Sequence, residues 1–137
     1  MKSKLSLSLV ALLSFAPVGD LFAGDGTNTS TVVTHVGADQ AAQLVKRGGV
    51  IVIDLRTPEE FAAGHITGAT NIDCKAEGFE KRLNALDREK TYVVHCGSGR
   101  RSTNALPIFE EKGFKQIAHL DGGLKAWSAA KQPVVKD

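Results

Sequence analysis

The stretch VVHCGSGRRS, residues 93–102, places a cysteine between an apolar run and a loop of glycine, serine and arginine. The apolar residues end a strand that we predict over 91–95, and a helix is predicted over 102–112. In open α/β sheets, ligands bind beyond the carboxyl ends of the strands, where each strand turns towards a helix. We therefore expect Cys96 to lie at the ligand-binding edge of such a sheet.

The rest of the chain repeats this alternation of strand and helix. Strands are predicted over 31–36, 50–55, 69–72 and 115–120, and helices over 38–47, 57–64, 77–86 and 123–130. The segment VIVIDL over 50–55 is apolar at nearly every position, which is typical of a strand covered on both faces in a parallel sheet. The alternation predicts one three-layer α/β domain with a mainly parallel sheet.

Two prolines affect the predicted helices. In Thr57-Pro58-Glu59-Glu60, Pro58 fits the first helical position, Thr57 is expected to cap the helix, and Glu60 is expected to complete a capping box. Pro107 falls inside the helix predicted over 102–112. We expect a kink there, because an interior proline removes one backbone hydrogen bond.

The first 23 residues are typical of a secretory signal peptide. A positive end over 1–4 precedes an uncharged apolar run over 5–16 and a break at 17–19. This run is too short for a spanning helix, which needs roughly 20 residues, so no membrane anchor is expected after cleavage. We predict cleavage after Ala23, a flexible leader over 24–33, a folded domain over 34–137 and a periplasmic location.

Composition and charge limit the classes of partner. A hydrophobic fraction of 42% in 137 residues is ordinary for one globular domain. Cleavage would remove Lys2, Lys4 and Asp20 and lower the formal net charge from +2 to +1. Because the chain is nearly neutral, we expect it to bind neither nucleic acid nor an acidic membrane surface.

The chain has two cysteines, Cys74 and Cys96, and export would favour a disulfide between them. The loop after Cys96 favours a nucleophile instead, because its glycines let several N–H groups converge and the next helix adds its dipole. Lowering a thiol pKa by two units takes roughly 2.7 kcal/mol. One helix terminus supplies only about 0.3–1 kcal/mol. We therefore expect converging N–H bonds and a nearby guanidinium to supply the remainder.

Three ordered motifs resemble the rhodanese family of sulfurtransferases. They are VIDLRTPEEFAAGHITGATNI over 52–72, VVHCGSGRRS over 93–102, and GF followed by HLDGGLKAW over 113–127. The resemblance covers about 36–133 and implies a single rhodanese-like domain with a five-stranded sheet flanked by helices. It also implies that neither a metal nor an organic cofactor is needed.

The resemblance gives Cys96 the catalytic role. Cys96 would take a sulfane sulfur from thiosulfate as a persulfide, release sulfite, and pass the sulfur to cyanide or another thiol. The implied substrate-binding loop consists of Gly97, Ser98, Gly99, Arg100, Arg101 and Ser102. Arg100 and Arg101 suit an anionic donor. Ser102 is expected to cap the following helix and to donate a hydrogen bond into the loop.

Further positions that match the family are expected to support the site. Asp54 and Arg56 end a central strand and are expected to form an ion pair or to orient the loop. His65 is expected to be a hydrogen-bonded structural histidine. Trp127 is expected to pack the last helix without contacting substrate.

The sequence leaves other classes of function open. Related cysteine phosphatases and arsenate reductases use a Cys-x5-Arg loop, which would need arginine where this chain has Ser102. A thiol redox protein would form a reversible disulfide between Cys74 and Cys96, although the chain has no Cys-x-x-Cys motif, and a sulfur-carrier or binding module would carry sulfur without fast turnover. Cys74 is then a spectator thiol, a thiol that resolves the Cys96 persulfide, or a disulfide partner that protects Cys96. The expected partners are a small-molecule sulfur donor and acceptor or a protein thiol, and the domain is expected to be a monomer.

Overall fold

The computed structural model describes residues 30–137, so the predicted signal peptide and most of the predicted leader lie outside the described residues. The strands are β1 Val32–Val36, β2 Val50–Asp54, β3 His65–Ile66, β4 Thr70–Asn71, β5 Thr91–His95, β6 Gln116–Leu120 and β7 Val134–Val135. The helices are α1 Ala38–Arg47, α2 Pro58–Ala63, α3 Phe79–Asn84, α4 Arg100–Glu111 and α5 Gly123–Ala129. Within 30–137, no helix has the length and apolar character needed to cross a membrane.

Five strands form one sheet in the order β1-β6-β5-β2-β4, and every neighbouring pair runs parallel. The predicted three-layer α/β architecture with a mainly parallel five-stranded sheet is confirmed. Because the strands are parallel, the carboxyl ends of β2, β5 and β6 meet at one edge of the sheet. Asp54, His95 and Leu120 end these strands, so the residues that follow them are brought together there.

The central strands bury apolar side chains on both faces of the sheet. Ile53 and Val94 belong to one hydrophobic core, whereas their neighbours Val52 and Val93 belong to the other. Successive side chains of a strand point to opposite faces, which is why an unbroken apolar run suits this position. Trp127 is buried in the second core, as expected for a residue that packs the last helix.

Helix α4 differs from its prediction at both ends. It begins at Arg100, two residues before the predicted start, after Gly99 with a φ of 98°. The helix continues through Pro107 and ends at Glu111, one residue before the predicted end, while the expected kink at Pro107 stays a prediction. Pro107 and Thr103, whose carbonyl loses its helical donor, are both exposed, and water can therefore replace the missing bond.

Two short strands, β3 and β7, were not predicted from the sequence. β3 and β7 pair antiparallel and form a second sheet of two strands. The pairing brings the end of the chain back to α2, where the N–H of Asp137 donates to the carbonyl of Ala62 at 3.2 Å. At the other end, β1 starts at Val32, which lies inside the leader predicted over 24–33.

Helix α5 meets the loop after Cys96 at Gly123. The N–H groups of Leu124 and Lys125 donate to the carbonyls of Cys96 and Gly97, each at 2.9 Å. A Cβ atom at Gly123 would lie 2.5 Å from the Cys96 carbonyl oxygen, and Gly123 has a φ of +59°. This position therefore requires glycine, and the contact fixes the start of α5 against the cysteine loop.

We predict that Gly123→Ala destabilises the fold by about 2–5 kcal/mol, because the methyl group overlaps the Cys96 carbonyl and an L side chain meets a positive φ. Gly68→Ala is the matched control, since Gly68 has a φ of +79° but no atom within 4 Å of its Cβ position. The control should lose only about 1–2 kcal/mol. Urea unfolding measures both losses, and equal values would contradict the packing role of Gly123.

Candidate active site

Cys96 follows β5 directly, and hydrogen-bond donors surround its sulfur. The N–H of Gly99 donates to Sγ at 3.1 Å, and the hydroxyl of Ser102 lies 3.4 Å from Sγ. The Cys96 side chain is fully buried. The loop therefore forms a cradle around the sulfur, while the substrate contacts of its individual residues stay a prediction.

Burial raises the pKa of the Cys96 thiol, but hydrogen bonds together lower it below its ordinary value. The Ser102 hydroxyl contributes most to the lowering, followed by the backbone N–H groups of Ser102, Gly99 and Ser98. Hydrogen bonds donated to a sulfur atom stabilise the anion more than the neutral thiol. The cradle therefore favours the thiolate, which is the nucleophilic form of cysteine.

Ser102 links the sulfur to the neighbouring strand β6. The prediction that it caps α4 is wrong, because the helix begins at Arg100 and Ser102 lies in its first turn. Its hydroxyl oxygen lies 2.7 Å from Nε2 of His119 and 3.2 Å from the Gly99 carbonyl oxygen. Ser102 is fully buried, so its hydroxyl makes its hydrogen bonds inside the protein, with these two groups and with Cys96 Sγ.

The guanidinium of Arg101 is bound by a carboxylate. It donates to both oxygens of Glu60, at 2.8 and 2.9 Å, and the hydrogen bonds lower the pKa of Glu60 to about 2. The pair lies over one side of the cysteine loop, since a Cβ atom at Gly97 would be 3.1 Å from Nη2 of Arg101. The guanidinium charge expected beside Cys96 is therefore largely balanced by Glu60.

The contact between Glu60 and Arg101 also changes the capping that was predicted at the start of α2. Thr57 caps the helix as expected, because its hydroxyl oxygen accepts from the N–H of Glu60 at 3.3 Å. The Glu60 carboxylate does not return to the Thr57 backbone; it accepts from the Thr57 hydroxyl at 3.2 Å and from Arg101. The expected capping box is thus only half formed, because the carboxylate serves the cysteine loop.

Arg100 has the opposite environment to Arg101. Its side chain is exposed, and within residues 30–137 it makes no hydrogen bond or ion pair. It lines a pocket of about 380 Å³ that also borders Ser98 and His119. Of the two predicted anion-binding arginines, Arg100 is the one free to meet an anion at the edge of the loop.

Asp54 and Arg56 form the expected ion pair beneath the loop. Both are buried, and Nη2 of Arg56 donates to Oδ2 of Asp54 at 2.7 Å. Arg56 also donates to the carbonyls of Glu60 and Gly64, at 3.2 and 2.7 Å. The pair therefore ties the end of β2 to helix α2, and through Glu60 it helps to place Arg101.

Two histidines near this edge are structural. His65 donates from Nδ1 to the Phe61 carbonyl at 2.8 Å and stacks on the Phe61 ring, in agreement with its expected role. His95 donates from Nδ1 to the Cys96 carbonyl at 2.9 Å. Burial lowers the pKa of His95, so its ring is neutral at pH 7 and adds no positive charge beside the sulfur.

Cys74 lies near the loop but is not part of the cradle. Both cysteines are free, and Cys74 lines a pocket of about 180 Å³ together with Arg101 and Asn104. Burial raises the pKa of the Cys74 thiol. It is therefore protonated at neutral pH, which favours the interpretation of Cys74 as a spectator.

Three side chains at the site were not predicted from the sequence: Glu60, His95 and His119. His95 and His119 stand near the carboxyl ends of two adjacent strands, so their positions in the predicted β5 and β6 contained a signal. No such signal exists for the contact between Glu60 and Arg101, which joins residues 41 positions apart.

Known proteins are similar to this chain in sequence and in fold. A family model described as Rhodanese-like domain matches residues 37–130. An uncharacterised protein from Synechocystis is 38% identical over 114 residues, which are 80% of this chain and 60% of that protein. Thiosulfate sulfurtransferase GlpE from Pseudomonas putida is 35% identical over 69% of this chain and 84% of its own. The crystal structure of a rhodanese-related protein from Thermoplasma volcanium, 28% identical, matches 76% of this chain and 99% of its own with a TM-score of 0.68.

We predict that Glu60→Gln removes an acid-sensitive part of the stability. The pKa of Glu60 falls from 4.5 to about 2 on folding, so its ion pair stabilises the fold above pH 4.5 and is lost as the pH falls towards 2. Because both side chains are partly exposed, the contribution should be about 1 kcal/mol or less.

Unfolding free energies measured from neutral to acidic pH test this prediction. The advantage of the wild type over Glu60→Gln should shrink as the pH falls. Glu59→Gln is the control, because Glu59 lies in the same helical turn and has no ion pair among residues 30–137. A difference between wild type and Glu60→Gln that does not change with pH would contradict the prediction.

Proposed function

The chain belongs to the rhodanese-like domain family, and from this premise we propose that it is a sulfurtransferase that carries a sulfane sulfur on Cys96. The main supporting observation is the buried Cys96 sulfur with the N–H of Gly99 and the hydroxyl of Ser102 directed at it. A relative that the chain covers by 84% is named thiosulfate sulfurtransferase. This name supports thiosulfate as the sulfur donor.

In the first half-reaction, the Cys96 thiolate attacks the outer sulfur of thiosulfate. An S–S bond to Cys96 forms, the S–S bond of thiosulfate breaks, and sulfite leaves with the electron pair. No proton moves, because the nucleophile and the leaving group are both anions. The lowered pKa of the Cys96 thiol supports this step, since it increases the fraction of thiolate at neutral pH.

In the second half-reaction, a thiophilic acceptor such as cyanide or a thiolate attacks the outer sulfur of the persulfide. The S–S bond to Cys96 breaks, thiocyanate or a new persulfide leaves, and the Cys96 thiolate is restored. Gly99 and Ser102 stabilise this departing anion with the same hydrogen bonds that lower its pKa. The cradle thus serves both half-reactions.

Arg100 is the side chain that we assign to the first contact with an anionic donor. It is exposed and borders the pocket beside the loop, whereas Arg101 is paired with Glu60. Because Cys96 has no exposed surface, a donor reaches the sulfur only after the loop or a neighbouring side chain moves. We assign to Arg100 the attraction of the donor to this edge of the loop.

The other function classes have weaker support. A phosphatase loop of the form Cys-x5-Arg needs arginine at position 102, where the buried Ser102 contacts His119. A redox pair needs Cys74 as a reactive thiolate or disulfide partner. Cys74 is a free thiol whose pKa is raised by burial, which argues against that role.

The location and assembly are also proposals. Export to the periplasm with removal of residues 1–23 is supported by the charged end and apolar run of the sequence. Cell fractionation with mass mapping of the first residue should find a chain that starts near Gly24 in the periplasm. An uncleaved chain in the cytoplasm would contradict export.

The domain should act as a monomer on a small-molecule donor and acceptor or a protein thiol. A dimer in light scattering would contradict the monomer.

We predict that the purified protein converts thiosulfate and cyanide into sulfite and thiocyanate. Cys96→Ala should abolish the reaction because the nucleophile is lost, whereas the matched variant Cys74→Ser should keep most of it. Intact-mass analysis after thiosulfate treatment should show the gain of one sulfur atom, mapped to Cys96. The absence of an adduct on a free Cys96 would overturn the proposal.

A further inference from the structure

Three potential metal ligands lie together at the edge of the sheet beside the cysteine loop. His35 of β1 and His119 of β6 are direct partners in the parallel register, and Asp121 follows β6. Nδ1 of each histidine lies 2.8 Å from Oδ1 of Asp121. The two ring nitrogens and the carboxylate oxygen all lie within 4.8 Å of one another.

We propose that His35, His119 and Asp121 form a binding site for a divalent transition-metal ion of the zinc class. Two imidazoles and one carboxylate are a ligand set that such ions accept, with a fourth position open to water. Mg²⁺ and Ca²⁺ prefer oxygen ligands alone, so the two histidines select against them. No step of the proposed sulfur transfer is needed for this site.

The three ligand atoms already face one another, since Nδ1 of each histidine lies 2.8 Å from Oδ1 of Asp121. In the absence of a metal, one carboxylate oxygen accepts from both Nδ1–H groups. A metal ion would replace this shared contact with three bonds. Each imidazole then binds the ion through Nδ1, and its ring proton moves from Nδ1 to Nε2.

The surroundings suit one fixed ligand and two accessible ones. His119 is buried, and its Nε2 is held by the Ser102 hydroxyl at 2.7 Å, a contact that fixes the ring as outer hydrogen bonds fix metal-binding histidines. His35 and Asp121 are exposed on more than half of their side-chain surface. The adjoining pocket of about 380 Å³ also borders Asp121, which gives an ion a route to the site.

Metal binding has a consequence for Cys96 through Ser102. With the metal on Nδ1, the proton of His119 is on Nε2 and is donated to the hydroxyl oxygen of Ser102. Without the ion, the single hydroxyl hydrogen of Ser102 has three acceptors within reach: Cys96 Sγ, Nε2 of His119 and the Gly99 carbonyl oxygen. The ion removes Nε2 of His119 from this competition, so the hydroxyl spends more time donating to Cys96. A bound ion should therefore increase the thiolate fraction of Cys96. We expect metal occupancy to speed the reaction of Cys96 with an alkylating agent at neutral pH.

Calorimetric titration of the untagged, metal-free protein with Zn²⁺ tests the site. The expected result is one ion per chain, with roughly tenfold or greater loss of affinity in His35→Ala and Asp121→Asn. Asp39→Asn, on the exposed start of α1, is the control and should bind like the wild type. Mg²⁺ should give no saturable binding.

The thiols need a separate control, because a thiolate also binds zinc. Cys96→Ala and Cys74→Ser should each keep the Zn²⁺ affinity of the wild type. Loss of binding in either variant, or unchanged binding in both His35→Ala and Asp121→Asn, would overturn the assignment. Circular dichroism of each variant confirms that a loss of affinity is not a loss of fold.

The link to Cys96 is tested by its alkylation with iodoacetamide, followed by peptide mass mapping. Zn²⁺ should speed the alkylation in the wild type and have no effect in His35→Ala. Slower alkylation in the presence of Zn²⁺ would place the ion on the sulfur itself, and an unchanged rate would overturn the link through Ser102. Neither measurement uses sulfur transfer, so failure of the proposed function would leave both results interpretable.

Discussion

The Cys96 sulfur is buried, and burial alone would keep it protonated and unreactive. Hydrogen bonds from the Ser102 hydroxyl and from the N–H groups of Ser102, Gly99 and Ser98 reverse this effect. These donors converge only because the chain turns at Gly99 into helix α4. Gly123 holds the other side of the loop, where α5 donates to the Cys96 and Gly97 carbonyls. The arrangement of the sheet edge therefore centres on one buried sulfur atom whose anionic form is stabilised by hydrogen bonds.

Two ion pairs place the elements that surround this sulfur. The buried Asp54–Arg56 pair joins β2 to the carbonyl of Glu60 in α2 and to that of Gly64 just after the helix. The Glu60–Arg101 pair then joins α2 to the start of α4 across the loop. The first pair is buried and would be costly to break, because one charge would lose its partner. The second is partly exposed, so breaking it costs less.

The fold was predictable because local pattern and global topology agree. VIVI over 50–53 and YVV over 92–94 are apolar on successive positions, and the structure buries both faces of these strands. The cradle was also predictable, since Cys96 follows a strand and Gly99 permits the turn into a helix. The pairing of β3 with β7 was missed, because each strand has only two residues and gives no periodic signal.

The charges of the site were less predictable than its backbone. Arg101 was expected to face the sulfur or its donor, but it binds Glu60, a residue whose sequence context indicated only a capping box. His119 and Asp121 were missed although they stand near the end of a predicted strand. Side-chain partners between distant segments depend on the packed structure, and spacing along the chain does not reveal them.

Titration of the Cys96 thiolate by its ultraviolet absorbance, in a Cys74→Ser background, tests whether the cradle stabilises the sulfur as an anion. We expect ionisation below the ordinary thiol value of about 8.5, and a shift to higher pH in Ser102→Ala because the largest lowering contact is lost. Ionisation at or above the ordinary value in the parent protein would contradict the account, since the cradle would then fail to hold the anion on which the chemistry depends.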